Sequence, residues 1–305
     1  MKTSYAIVAI IIVAIVAFAL GYYVYPLTVP APTPGVTTVT VTNTVTQTKT
    51  VTVTPTPAKT IWEEIEERGV IRVATSPDWP PFQFIDPKTN ELVGYEVDLM
   101  NLVAEKLGLK VEWVTMDFDA IIAAVKNREV DLGVSGFSIT PERLDEVRFS
   151  MPHIVTEVQL IMCADKAEEL GITRLSSLED IATYGIKVGT GTGTTEEQEL
   201  LQLVNEGKIP GDLVKSYTDF QLALEDMKVG RIDAVYAETP ITTWWISTEK
   251  VPLVVVYSRS YWPVAFVAHK DAYELIKHIN AALAEIFASG EIDQIRAKWN
   301  ITSGL

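Results

Sequence analysis

Three patterns of apolar and polar positions follow one another along the chain. Residues 4–29 carry no charge, and 6–20 are almost purely aliphatic; a Thr/Val alternation comes next, and after residue 60 short β-branched runs alternate with amphipathic stretches. The third pattern covers most of the chain. Apolar residues at 71–74 predict a strand, and Val97, Met100, Ala104 and Leu107 give a helix face stopped at Gly108. Further strands are predicted at 111–114, 130–134, 158–163, 186–189, 213–217, 232–236 and 253–256. Helices are predicted at 120–125, 196–204, 220–229 and 239–247, and Leu275, Ile276, Ile279, Leu283 and Ile286 mark a long closing helix capped at Gly290. Strand and helix in alternation are the signature of parallel sheets built from βαβ units, so the predicted fold class is α/β.

The first apolar stretch is long enough to cross a bilayer as a helix. Two readings of it stay open. Residues 1–27 form either an uncleaved signal anchor, with Tyr22, Tyr23 and Tyr25 at the membrane interface, or a signal peptide cut near Ala17-Phe18-Ala19. Both send the rest of the chain to the cell exterior, tethered to the cytoplasmic membrane by this helix or secreted after cleavage. No cysteine follows the apolar run, which excludes a lipoprotein anchor. Residues 28–60 collapse to Thr, Val and Pro and read as a stalk similar in composition to the Thr-rich spacers of archaeal envelope proteins. Alternating Val and Thr also suits a β-strand, but with no second apolar segment beside it the extended spacer is the expectation.

The remaining length fits a large domain or two lobes. A net charge of -15 argues against nucleic acid or an anionic lipid surface as partner, since both need clustered Lys and Arg. A lone Cys163 leaves no internal disulfide, redox pair or thiolate metal site, and His153, His269 and His278 show no ligand-like spacing. No metal and no cofactor are therefore expected.

The chemistry gathers where loops follow strands, because there backbone N–H groups and helix N-termini are unpaired and collect ligands. In Ser135-Gly136-Phe137-Ser138-Ile139-Thr140-Pro141-Glu142-Arg143, Thr140 suits an N-cap and Pro141 the first helical position. That puts Arg143 in a first helical turn, where the dipole already favours an anion. It either awaits a carboxylate or pairs with Glu146 three residues on. The loop Gly189-Thr190-Gly191-Thr192-Gly193-Thr194-Thr195 lacks the Lys of a P-loop and the spacing of a dinucleotide fingerprint. It offers N–H groups and the Thr194 and Thr195 hydroxyls, which fit a carboxylate as well as a phosphate. Ala237-Glu238-Thr239-Pro240 is a third such loop, and the turn from Ser76 to Phe82 holds Trp79 between prolines.

Read together, ATSPDWPPFQF, LVGYEVDLMNLVAEKLG, MDFDAIIAAVKNREVDLGVSGFSITPER, GTGTGTTEE and GRIDAVYAETP resemble the polar amino-acid solute-binding proteins of ABC importers, extracellular family 3, over most of residues 61–305. The resemblance implies a two-lobed periplasmic-binding-protein-like fold with two hinge crossings: lobe 1 from residues 61–156 and 261–305, lobe 2 from 157–260, and hinges near Thr156 and Tyr261. It gives the ligand carboxylate to Arg143, helped by the Ser138 N–H and Thr195, and the ligand ammonium to the Gly136 carbonyl. Trp79 and Phe118 would sandwich the side chain. Where many members hold the ammonium with Asp, this chain has Glu238. Where those that bind basic amino acids often carry an acid in the first loop, it has Ser76, which leans toward an uncharged side chain, although Asp78 lies close by. The implied function is a monomeric receptor that passes a small amino acid to a membrane permease without catalysis. The chain also resembles secreted cyclohexadienyl dehydratases, which would use Glu238 as general acid. A sensor ectodomain is a third class, for which the sequence offers no signalling module.

Overall fold

The computed structural model describes residues 38–39, 51–52 and 58–301. The chain divides into two compact units, Met1–Ala58 and Lys59–Leu305. The predicted membrane helix lies outside the described residues, and among these no helix is long and apolar enough to cross a membrane. Within the Thr/Val/Pro-rich residues 28–60, Thr38–Val39 pairs antiparallel with Val51–Thr52. The Thr/Val alternation thus finds its second strand within the same segment, which corrects the expectation of an unpaired spacer over those four residues.

The second unit starts with helix α1 (Ile61–Arg68), held at its front by a capping box: Thr60 Oγ1 accepts from Glu63 N, and the Glu63 carboxylate accepts from Thr60 N at 2.7 Å. Strands β1 (Val70–Thr75), β2 (Lys110–Thr115), β3 (Leu132–Gly133) and β4 (Arg148–Phe149) begin one sheet. A second sheet is made of β5 (Ile154–Cys163), β6 (Val188–Gly191), β7 (Val214–Tyr217), β8 (Ala234–Glu238) and β9 (Leu253–Val264), after which β10 (Val267–Ala268) returns to the first. The orders are β2-β1-β3-β10-β4 and β7-β6-β8-β5-β9, one sheet to each of the two lobes.

The expectation of parallel sheets holds for part of each. β1 lies parallel to β2 and β3, and β6 to β7 and β8, whereas β5 runs antiparallel to β8 and β9, and β10 to β3 and β4. The antiparallel members are those at which the chain passes between sheets, so no βαβ crossover sets their direction. β9 is also far longer than the predicted residues 253–256. The polar Ser258-Arg259-Ser260 interrupts its apolar pattern, yet the strand follows β5 from Leu253 opposite Cys163 to Val264 opposite Ile154.

Helices pack their apolar stripes on these sheets. α2 (Tyr95–Lys106) buries Val97, Leu99, Met100, Val103 and Ala104, and α3 (Phe118–Lys126) buries Ile121, Ala124 and Val125. α4 (Pro141–Glu146) is short; α5 (Thr195–Asn205), α6 (Phe220–Lys228) and α7 (Thr239–Thr248) belong with the second sheet. α8 (Tyr273–Ser289) packs on α1 and α2 through Leu275, Ile279, Leu283 and Ile286, each fully buried or nearly so and each contributing about 1.5–3 kcal/mol. The strand ends β1, β3, β6 and β8 then launch the four predicted loops.

Candidate ligand-binding cleft

Those loops meet around a single cleft. One wall comes from the first sheet's loops and brings Asp78, Trp79, Gln83, Phe118, Ser135, Gly136, Ser138 and Arg143; the other brings residues 191–196, less Gly193, with Tyr217, Thr218, Phe220 and Glu238.

Arg143 arrives as its local sequence predicts. Thr140 caps α4, its Oγ1 accepting from Arg143 N at 3.3 Å, and Pro141 fills the first turn. Arg143 is 6% exposed; its guanidinium donates to Ser138 O at 3.2 Å and across the cleft to Gly193 O at 3.1 Å, and lies 5.5 Å from the ring centres of Phe118 and Phe137. Glu146 pairs instead with Lys126 at 2.8 Å, so the alternative partner proposed for Arg143 is taken elsewhere.

Gly136 adopts φ +67°, donates its N–H to Glu96 Oε2 at 2.8 Å, and packs so closely on Trp79 that a Cβ there would lie 2.2 Å from the indole. No other residue fits. Trp79 is 7% exposed and rests on Phe82, while Phe118 stacks on Phe137 with ring centres 4.8 Å apart. Both predicted aromatics therefore line the cleft from braced positions.

Thr194 caps α5: its Oγ1 accepts from Glu197 N and donates to Gly191 O, while Glu197 folds back to accept from Gly193 N at 2.7 Å. Thr195, the first residue of the helix, turns its Oγ1 to Glu196 Oε2 at 3.2 Å. Ser138 and Glu238 meet directly, Ser138 Oγ donating to Glu238 Oε1 at 2.9 Å, and Thr156 Oγ1 donates to Glu238 Oε2 at 2.7 Å.

Ser76 is the exception. It is buried beside the cleft without lining it, donates its hydroxyl to Asp78 Oδ1 at 2.6 Å, and donates its backbone N–H to Ser135 Oγ at 3.1 Å. The first-loop position facing the cleft belongs to Asp78, whose other oxygen accepts from Phe220 N across the cleft at 3.2 Å. Ser76 was placed by its position in the motif, but the side chain of the residue two further on reaches inward.

Two acids line the cleft beyond the site residues expected from the sequence, Asp78, which the sequence marks only as a neighbour of Ser76, and Glu196. Asp78 has its carboxyl raised above the usual range by burial. Glu196, 3% exposed, is pushed up to about 7 by burial against the opposing pull of its own N–H, Thr195 and Arg143. Burial and then the charge of Glu196 hold the Glu238 carboxyl well above the ordinary range, although Thr156, Ser138 and Arg143 pull it down. The ionisable carboxylates and guanidinium lining the cleft are thus Asp78, Glu196 and Glu238 against Arg143. One carboxylate anchor faces three acids, an arrangement suited to a molecule that brings more positive than negative charge.

Comparison with known proteins agrees with this architecture. The chain is similar to ABC transporter arginine-binding protein 1 of Escherichia coli (strain K12), 27% identical over 75% of this chain and 90% of that one. An ancestral arginine-binding protein solved with arginine is 33% identical, with a TM-score of 0.69, covering 76% of this chain and 98% of its own. An ancestral amino acid-binding protein described as a precursor of cyclohexadienyl dehydratase is 29% identical, with a TM-score of 0.68, covering 79% and 99%. The family model described as bacterial extracellular solute-binding proteins, family 3, matches residues 71–302, and the chain belongs to that family.

Proposed function

We propose that this protein captures an amino acid with a positively charged side chain outside the cytoplasm and hands it to the membrane subunits of an ABC importer. The observation that carries this reading is the cleft's charge pattern: Arg143 in a helical first turn opposite Asp78, Glu196 and Glu238. The ligand carboxylate meets Arg143 with the Ser138 and Thr195 N–H groups, and its ammonium meets Glu238 and the Gly136 carbonyl. Its side chain lies between Trp79 and Phe118 and ends near Asp78. Asp78 replaces Ser76 in this scheme and reverses the leaning toward an uncharged side chain. Arginine-binding relatives support the choice.

The protein acts by closing. Lobe 1 takes residues 61–156 and 261–305, lobe 2 residues 157–260, and the crossings lie near Thr156 and Tyr261. The β5–β9 register supports those positions, because it shifts between Val155 opposite Pro263 and Glu157 opposite Ser260. A ligand gripped from both walls binds the closed arrangement better and moves the population by that difference. A monomer tethered through its N-terminal apolar segment and the Thr-rich stalk completes the reading.

A thermal-shift screen of the full chain against the twenty amino acids tests it, since a ligand that binds only the folded form raises the melting temperature. Arginine or lysine is expected to give the largest shift. A screen in which none shifts, or in which prephenate is converted to an aromatic product that Glu238→Gln abolishes, overturns it in favour of the dehydratase reading.

A further inference from the structure

Glu196 lies inside the GTGTGTTEE motif but receives no role from the sequence, yet it is more than nine-tenths buried in the cleft wall and lines the same space as Glu238. Its backbone neighbours explain why it is free to do so. Glu197 satisfies the front of α5 by accepting from Gly193 N, so Glu196 has no capping duty, and the protein donor to its carboxylate is the Thr195 hydroxyl on Oε2. Glu238 occupies both its oxygens with the Ser138 and Thr156 hydroxyls. Two buried carboxylates that line one space repel when both are ionised, and a proton or a cation relieves that repulsion. The charged and titratable groups around the pair are Arg143 from α4, Tyr236 on β8, Glu199 one turn along α5, and Asp78 across the cleft; Glu199 is itself held by Arg259 at 2.6 Å. Arg143 is the one cation among them that lines the cleft, and it is the group assigned to the ligand's carboxylate.

Resting on the amino-acid reading above, we propose that Glu196 is a second ligand-contacting acid, which with Glu238 forms a two-carboxylate socket for the α-ammonium and releases the proton the pair shares as that ammonium arrives. The proton passes to solvent, and the ammonium takes over the charge balance. Thr156, which donates to Glu238 at the register shift between the crossing strands, ties the socket to the hinge.

Isothermal titration calorimetry of the full chain tests this with L-arginine and L-glutamine, each beside its deaminated counterpart, δ-guanidinovalerate and glutaramate, in buffers of differing ionisation enthalpy. The parent is expected to favour the amino acid over its deaminated counterpart by at least about a hundredfold and to release a proton near pH 7. Its affinity is expected to rise between pH 6 and pH 8, by at most about tenfold per pH unit for one proton. Glu196→Gln, nearly the same in shape, is expected to lower that preference by at least about tenfold and to remove both the proton release and the pH slope. A Glu196→Gln variant that keeps the parental preference and proton release overturns the proposal while leaving the amino-acid reading in place. A parent that binds neither amino acid, and none of the other eighteen, overturns that reading and the proposal with it. Should Glu196→Gln fail to fold, the parent decides alone: binding without proton release in any buffer contradicts the socket.

Discussion

Glu96 and Glu196 are hidden from water almost equally, at 0% and 3% exposure, and meet opposite surroundings. Glu96, in the first turn of α2, has the Gly136 N–H 2.8 Å from one oxygen and His153 Nε2 3.0 Å from the other, with Tyr95 OH 3.3 Å from the far nitrogen of that imidazole. It is an acid that accepts the Gly136 N–H and lies beside the His153 ring, and it braces the loop that carries Gly136. Glu196 faces another acid. The first arrangement stabilises a backbone and the second leaves electrostatic energy unspent. In a family that binds solutes, the uncompensated group is the one a ligand can relieve.

The largest effect is expected from breaking the compensated member. Glu96→Ala leaves the Gly136 N–H buried without its acceptor and the buried His153 ring without its neighbouring carboxylate, and is expected to cost about 3–5 kcal/mol of stability, measured by denaturant unfolding. A smaller effect of opposite sign is expected in the cleft. An acid raised from an ordinary 4.5 to about 7 stays protonated in the folded protein over that interval, so its contribution to stability is complete below about pH 4.5 and is lost as pH climbs through 7. Glu196→Gln removes this loss and is expected to stabilise the protein by roughly 1–3 kcal/mol at pH 8, with little gain at pH 4.5. Equal destabilisation by both substitutions would erase the distinction between the two acids.

Most of the fold was legible because its signals are local. The run at 71–74, the Val97 to Leu107 face and Gly290 each report on a single element, and the structure places strands and helices there. The direction of β5 and the length of β9 were not legible, since both follow from a partner nearly a hundred residues away in the chain. The cleft divides in the same way. Thr140 and Pro141 fixed Arg143 through the geometry of one helical turn, whereas the choice between Ser76 and Asp78 depends on which side chain turns inward after β1. Glu196 had a signal that was not used. Thr194 followed three residues later by Glu197 has the sequence pattern of a capping box, which assigns Glu197 to the helix front and leaves Glu196 to another purpose, although in the structure Glu197 accepts from Gly193 N rather than from Thr194 N.

The central claim is that the cleft holds its ligand by the carboxylate at Arg143, and the most direct test is the affinity of Arg143→Ala for the amino acid the screen selects. Loss of a charge-assisted contact with two or more hydrogen bonds is expected to weaken binding by at least about a hundredfold, with the far-ultraviolet circular dichroism of the parent retained. Affinity close to the parent's in a folded Arg143→Ala variant would contradict the account.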